Sequence, residues 1–236
     1  MRSLQNKVAV IIGATGGMGT ILTSELASQG VKLVLASNDT EMLNQMKTEY
    51  EAKEVSVTVA KLDVTNEEEV KAVFQLAQKT YGQADILVNL AGLSIPAKVE
   101  AMAEEQYDVT MDVNVKGTFL CCKHFIPMAN KEDGAHIINI GSMAAKRANP
   151  GAPMYCTAKA AVNMFSQGLA MQVKDQNIRV TTLNPGGADT AFWGDRQVPR
   201  EKFLKASDVV DVMLFVLTRD TRVVFHDIAF ESFFAL

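Results

Sequence analysis

An apolar run that stops on a cluster of glycines constrains this chain more than any other feature. Lys7 to Ile12 (KVAVII) is almost wholly apolar, the pattern of a short strand buried on both faces. It meets Gly13-Ala14-Thr15-Gly16-Gly17-Met18-Gly19, and a helical pattern follows from about Thr20 to Ser28, ended by Gly30. A glycine turn between strand and helix aims bare backbone N–H groups and the positive end of the helix dipole at one place. Where Cβ atoms are missing, a pyrophosphate can approach the backbone closely. The spacing Gly13-x-x-x-Gly17-x-Gly19 is not the G-x-G-x-x-G fingerprint, but it offers similar chemistry.

The same alternation continues down the chain. Strands are expected at 32–36, 55–62, 85–89, 135–140, 178–183 and 223–228. Helices are expected at 39–51, 66–80, 108–128, 153–173 and 207–218, with Asn66 and Ser207 as N-caps. Strands alternating with helices argue for βαβ units. Right-handed crossovers then give an α/β fold with a doubly wound, mostly parallel sheet of about seven strands and helices on both faces. No repeat, low-complexity segment or linker interrupts it, so residues 1–236 are expected to form a single domain.

Composition closes off several functions. Twenty-seven acidic against 23 basic residues give a net charge of −4 with no basic run, which argues against nucleic acid or an anionic membrane as partner. No apolar run reaches the ~18–20 residues that span a bilayer, and the first strand begins too early to leave room for a signal peptide. The three cysteines, Cys121, Cys122 and Cys156, show neither C-x-x-C spacing nor a disulfide framework, and Cys121, Cys122 and His124 lack a second ligand pair for a metal. A reduced, cytoplasmic protein without a metal site is expected.

The chemistry is expected in IINIGSMAAKRANPGAPMYCTAKAAVNMF. Tyr155 and Lys159 share one helical face, with side chains about 5–6 Å apart. A nearby ammonium favours a phenolate by roughly 1–3 pKa units where water is excluded, which would bring the tyrosine toward the range of a general acid or base. Ser142, at the end of the preceding strand, could hydrogen-bond a substrate oxygen.

Taken together, the glycine loop, Asp63-Val64, Asn89-Leu90-Ala91-Gly92, Asn114, Ser142, Tyr155, Lys159 and Asn184-Pro185-Gly186…Thr190 resemble, in order and spacing, the short-chain dehydrogenase/reductase family in its single-domain branch of roughly 250 residues. The resemblance covers essentially the whole chain. It implies a Rossmann-type sheet, a nicotinamide dinucleotide and hydride transfer at a carbonyl or alcohol carbon of a small molecule. By the same resemblance Tyr155 is the acid/base, Ser142 holds the substrate oxygen, Lys159 lowers the tyrosine pKa and binds the nicotinamide ribose, and Asn114 holds a water behind Lys159. Gly13, Thr15, Gly16, Gly17, Met18, Gly19, Asp63, Val64, Asn89, Ala91 and Gly92 are implied cofactor contacts, with Asp63 at the adenine and Pro185, Gly186 and Thr190 at the nicotinamide.

Two positions depart from the family pattern: Ile12 where threonine is usual and Leu90 where asparagine is usual. Both end neighbouring strands, so a compensating apolar pair with a modest change in sheet packing is expected. The end of the second strand sets the choice of dinucleotide. Ser37, unlike an aspartate, would not repel a 2′-phosphate, whereas Asn38 stands where arginine is frequent and Asp39 adds negative charge. The balance favours NADP(H), with NAD(H) as the alternative.

The family's substrate lid falls here at about 190–205. Phe192 and Trp193 are expected to line the substrate pocket with Ser94, Met143 and Met154, and Lys146 and Arg147 either attract an acidic substrate or form a solvated loop. Small residues on helix 153–173 and an apolar end (FESFFAL) suggest a homodimer or homotetramer. Two alternatives to a carbonyl reductase remain: a catalytically silent dinucleotide-binding regulator or scaffold, and a reductase of activated C=C or C=N bonds.

Overall fold

The computed structural model of the chain describes residues 2–235; Met1 and Leu236, the two ends of the expected domain, lie outside the described residues. In chain order β1 (Val8–Ile12), α1 (Gly17–Ser28), β2 (Lys32–Ser37), α2 (Thr40–Ala52), β3 (Val57–Lys61), α3 (Glu67–Tyr81) and β4 (Ile86–Asn89) build the first half. There follow α4 (Glu104–Met111), a π-helical turn (Asp112–Lys116), α5 (Gly117–Phe125), β5 (Ala135–Ile140), α6 (Pro153–Val173) and β6 (Ile178–Pro185). The chain closes with two short strands, β7 (Ala188–Asp189) and β8 (Leu204–Lys205), then α7 (Ala206–Leu217) and β9 (Asp227–Phe230).

Seven strands form one sheet in the order β3-β2-β1-β4-β5-β6-β9, every neighbouring pair parallel. Alternation inside a strand divides the apolar side chains between two cores. From β1, Val8, Val10 and Ile12 join one core, where Val73 and Phe74 of α3, Leu120 and Phe125 of α5 and Leu169 of α6 meet them. Ala9 and Ile11 join the other, against Leu22 and Leu26 of α1, Leu43 of α2 and Val209 and Met213 of α7. Helices therefore cover both faces. Connections run outward in opposite directions from β1 and β4, so the strand ends of that pair flank the switch-point crevice of an open α/β sheet.

Local chemistry sets most boundaries. Asn66 caps α3 by accepting from the amides of Glu68 and Glu69, three glutamates occupy its positive first turn, and Gly82, at φ 80°, ends it. Several boundaries differ from expectation, β3 running over Val57–Lys61 and β6 on to Pro185 among them. Helix α1 starts at Gly17, so the glycine cluster itself forms its first turn. The long helix expected at 108–128 starts earlier and carries a π-turn centred on Asn114. Helix α7 starts at Ala206 with Lys205, not Ser207, at the N-cap; the Asp208 carboxylate accepts from the Lys205 amide at 2.8 Å. The last strand lies at Asp227–Phe230, later than 223–228, because β6 pairs there through Thr182↔Asp227 to Pro185↔Phe230.

Candidate active site

Ser142 follows β5, and Tyr155 and Lys159 project from the first turns of α6 into a cleft of about 680 Å³ at the carboxyl ends of the strands. The Ser142 hydroxyl accepts from the Ala144 amide at 3.0 Å, leaving its own proton to donate. A relay that the sequence did not disclose lies behind it. The Ser142 amide donates to Asn184 Oδ1 at 2.8 Å, Asn184 Nδ2 donates to Asp227 Oδ1 at 2.7 Å, and Lys146 pairs with the other Asp227 oxygen. Asn184 is fully buried, so the loop bearing Ser142 is tied through the core to β9.

Burial sets the charges here. Desolvation pushes the Tyr155 phenol up to about 12, while the Ser142 hydroxyl and the Arg196 charge pull it down and Cys156 opposes them. Desolvation lowers Lys159 to about 8. Lys159 Nζ donates to the Ile140 carbonyl at 3.0 Å and lies 5.7 Å from the centre of the Tyr155 ring. Burial thus sets the direction at Tyr155, upward, where a lowering by the Lys159 ammonium is expected; that ammonium is not among the groups that move the phenol.

Asn114 sits beside this pair. The π-turn places its side chain in the interior, where Nδ2 donates to the carbonyls of Leu93 and Thr110, both at 2.9 Å. Its Oδ1 is buried without a partner among the described residues. A Cβ on Gly92 would stand 2.9 Å from that oxygen and 3.2 Å from Lys159 Nζ, so the two polar groups crowd one point that only glycine leaves open. An orphaned acceptor beside a buried ammonium has the chemistry to hold a water or a hydroxyl.

The glycine turn fits the expected dinucleotide. Gly13 has φ 82°, and a Cβ on Gly19 would collide with the Gly13 carbonyl at 2.4 Å, so the loop is compressed to a form side chains cannot take. Helix α1 has Gly16 at its N-cap, with no capping side chain and no acid in its first turn, unlike α2 and α3. Its N–H groups are thus left for an anion. Met18, Gly92, Pro185, Gly186 and Thr190 line the cleft, and Thr190 Cγ2 would lie 3.1 Å from a Cβ on Gly17. Ser37 shares a 2.6 Å hydrogen bond with Thr15, Asn38 is exposed, and the Asp39 carboxylate is occupied in capping α2 through the Met42 amide.

The remaining expected contacts have partners within the protein. The Asn89 side chain is buried, its Nδ2 donating to Asn139 Oδ1 at 2.8 Å while its Oδ1 has no partner among the described residues. Asp63 Oδ1 accepts from the amide and hydroxyl of Thr65, the turn before α3. Val64 is packed in the core, and Ala91 closes on Gly13, its amide nitrogen 3.0 Å from where a Gly13 Cβ would be. Ile12 and Leu90 share a backbone hydrogen bond, but their side chains pack into opposite cores, so they are no compensating pair.

The segment expected to form the lid runs between β7 and β8, which pair in parallel and clamp both its ends. Ser94, Met143, Phe192 and Trp193 all line the cleft. Met154 instead lines a separate cleft of about 150 Å³ with Val99 and Tyr107. Trp193 both lines and anchors: its indole N–H donates to the Ala188 carbonyl at 2.8 Å, and its ring packs 4.9 Å from that of Phe203. The Phe192 ring lies 5.8 Å from Tyr155. Lys146 and Arg147 are neutralised by Asp227 and Glu231, which ends their candidacy as a free acidic-substrate lure. Arg196, unremarked in the sequence, lines the cleft. Among the described residues no helix is long and apolar enough to cross a membrane.

The family described as short chain dehydrogenase matches residues 7–200. The chain is 34% identical over 224 residues to an uncharacterized oxidoreductase of Staphylococcus saprophyticus, covering 94% of this chain and 96% of that one. It is 32% identical over 228 residues to an uncharacterized oxidoreductase of Staphylococcus aureus, covering 97% and 98%. An alcohol dehydrogenase from the archaeon Thermococcus sibiricus, solved with 5-hydroxy-NADP, superposes with a TM-score of 0.89 at 26% identity over 98% of both chains. A short-chain dehydrogenase/reductase of Serratia marcescens superposes with a TM-score of 0.91 at 23% identity over 100% of both, a likeness of fold alone.

Proposed function

The chain belongs to the short-chain dehydrogenase family of oxidoreductases, and from that premise we propose that it transfers a hydride between a nicotinamide dinucleotide and the carbonyl or alcohol carbon of a small molecule. The observation that carries this reading is the convergence of Ser142, Tyr155 and Lys159 on one cleft, with the orphaned Asn114 oxygen beside Lys159. The seven-stranded sheet with its two cores supports reading residues 1–236 as one domain, with a substrate lid at about 190–205.

The glycine turn and the start of α1 would hold the pyrophosphate, and Pro185, Gly186 and Thr190 the nicotinamide end. When bound, the reduced cofactor supplies a hydride to a carbonyl carbon and the oxidised form accepts one from an alcohol carbon. The protein's part is to meet the charge that develops on the substrate oxygen. Ser142, its hydroxyl fixed as an acceptor toward Ala144, donates its proton to that oxygen. Tyr155, neutral up to about 12, gives its phenolic proton to the same oxygen and is left as phenolate. Lys159 stabilises that phenolate, and the Asn114 side provides the path by which the proton is replaced. In the oxidative direction Tyr155 takes the proton back.

The preferred dinucleotide in this proposal is NADP(H). Ser37 places a hydroxyl rather than a carboxylate at the end of β2, and Asp39 is committed to its cap. The Thermococcus sibiricus relative was solved with an NADP analogue. Exposed Phe119, Met164 and Met171 on α5 and α6 support a homodimer or homotetramer. The test is turnover of NADPH and of NADH, assayed separately against a panel of aldehydes and ketones. Oxidation of NADPH by at least one carbonyl compound, faster than of NADH, is the expected result; binding of neither dinucleotide would refute the proposal.

A further inference from the structure

Among the described residues three cations line the cleft, Arg147, Lys159 and Arg196, and no aspartate or glutamate does. Two of the three have an assigned use. Arg147 is answered by Glu231, and Lys159 is buried behind the phenol. Arg196 is different. Its Nε donates to the Trp193 carbonyl at 2.8 Å and one terminal nitrogen to the Phe192 carbonyl. Both partners are uncharged, and the other terminal nitrogen has no partner among the described residues. The guanidinium also lies against two aromatic faces, 5.1 Å from the centre of the Phe192 ring and 5.0 Å from that of Trp193. Stacking strips water from a guanidinium while leaving its charge intact, and the two carbonyl bonds hold the head in place. A half-buried cation fixed in this way binds an anion more strongly than a solvated one does.

Resting on the hydride-transfer reading, we infer that the substrate is an oxo acid whose carboxylate pairs with Arg196 while its carbonyl meets Tyr155 and Ser142. The two ends are joined by an apolar spacer. Phe192 touches both stations, 5.8 Å from the Tyr155 ring on one side and 5.1 Å from the Arg196 guanidinium on the other, and Leu90, Pro96 and Met143 supply further apolar wall. The Phe192 ring, which lies against both stations, is the wall along which the spacer would run, so the acid group is set several carbons from the carbonyl.

The test compares an aliphatic oxo acid of medium chain length with its methyl ester, at saturating NADPH, in the parent and in Arg196→Gln and Arg196→Lys. A hydrogen-bonded charge pair of this kind corresponds to about a 10- to 100-fold preference for the acid in kcat/KM. The preference is expected to collapse toward unity in Arg196→Gln and to survive in part in Arg196→Lys. Trp193 is the sole tryptophan and is stacked on Arg196, so the acid, not the ester, should also change its fluorescence without any turnover. Equal use of acid and ester by the parent would overturn the inference. So would an acid-to-ester ratio that Arg196→Gln leaves unchanged while both rates fall, which is the mark of a lid clasp, or a loss confined to NADPH affinity, which would assign Arg196 to a phosphate. If neither compound turns over but the acid alone perturbs Trp193 in an Arg196-dependent way, the carboxylate site stands and the hydride-transfer reading falls.

Discussion

Tyr155 and Lys159 stand one helical turn apart, and burial disfavours the charged form of each. The phenol is pushed up to about 12 and the ammonium down to about 8. Carbonyl reduction needs the phenol protonated and the lysine charged, and of the two the lysine gives way first as pH rises. The profile of kcat/KM for reduction is therefore expected to be level near neutrality and to fall through about pH 8, the Lys159 value. A profile that holds until an ordinary lysine would titrate would show that Lys159 keeps its charge by a contact absent from this account. At this scale the sequence discloses the pair, because i,i+4 spacing on a helix is a local fact. It does not disclose the balance between burial and charge, which depends on what packs around α6. Nor does it disclose the Ser142–Asn184–Asp227 relay, whose members come from three strands' ends far apart in the chain.

Elements were legible where a cap or a glycine marks them and less so where tertiary packing decides. Asn66 and Gly82 bracket α3 as local chemistry requires. The π-turn at Asp112–Lys116 has no local signature in the sequence; it exists because Asn114 must turn inward to bond Leu93 and Thr110. The last strand moved for a similar reason, since Val223 and Val224 remain exposed while Asp227–Phe230 finds β6. Helix α2 offers a test that joins element to cofactor choice. Asp39 accepts from the Met42 amide at 3.0 Å, so Asp39→Ala is expected to cost about 0.5–2 kcal/mol in urea unfolding. If Asp39 is committed to capping, the ratio of NADPH to NADH use should change little. A large rise in NADPH preference would show that its charge reaches the 2′ position instead.

Across the whole molecule, one parallel sheet with opposite-facing cores brings to one edge residues that the chain keeps far apart: the glycine turn after β1, Gly92 after β4, Ser142 after β5 and Pro185–Thr190 after β6. That much followed from the alternation of strands and helices. The folding of residues 190–203 that sets Arg196 against Phe192 and Trp193 did not, because no periodic pattern runs through that segment. The outer face of α5 and α6 leaves Met164 and Met171 at 68% and 76% exposure, and Gly168 between them has open space where a Cβ would be. Met164→Asp is expected to shift the protein toward monomer in size-exclusion chromatography, and an unchanged elution position would place the interface elsewhere. The most direct measurement is turnover by Tyr155→Phe beside the parent, with NADPH binding followed in both. The variant is expected to bind NADPH as the parent does and to lose carbonyl reduction by about 10²–10⁴-fold. Turnover that survives the loss of the hydroxyl would contradict Tyr155 as the proton donor.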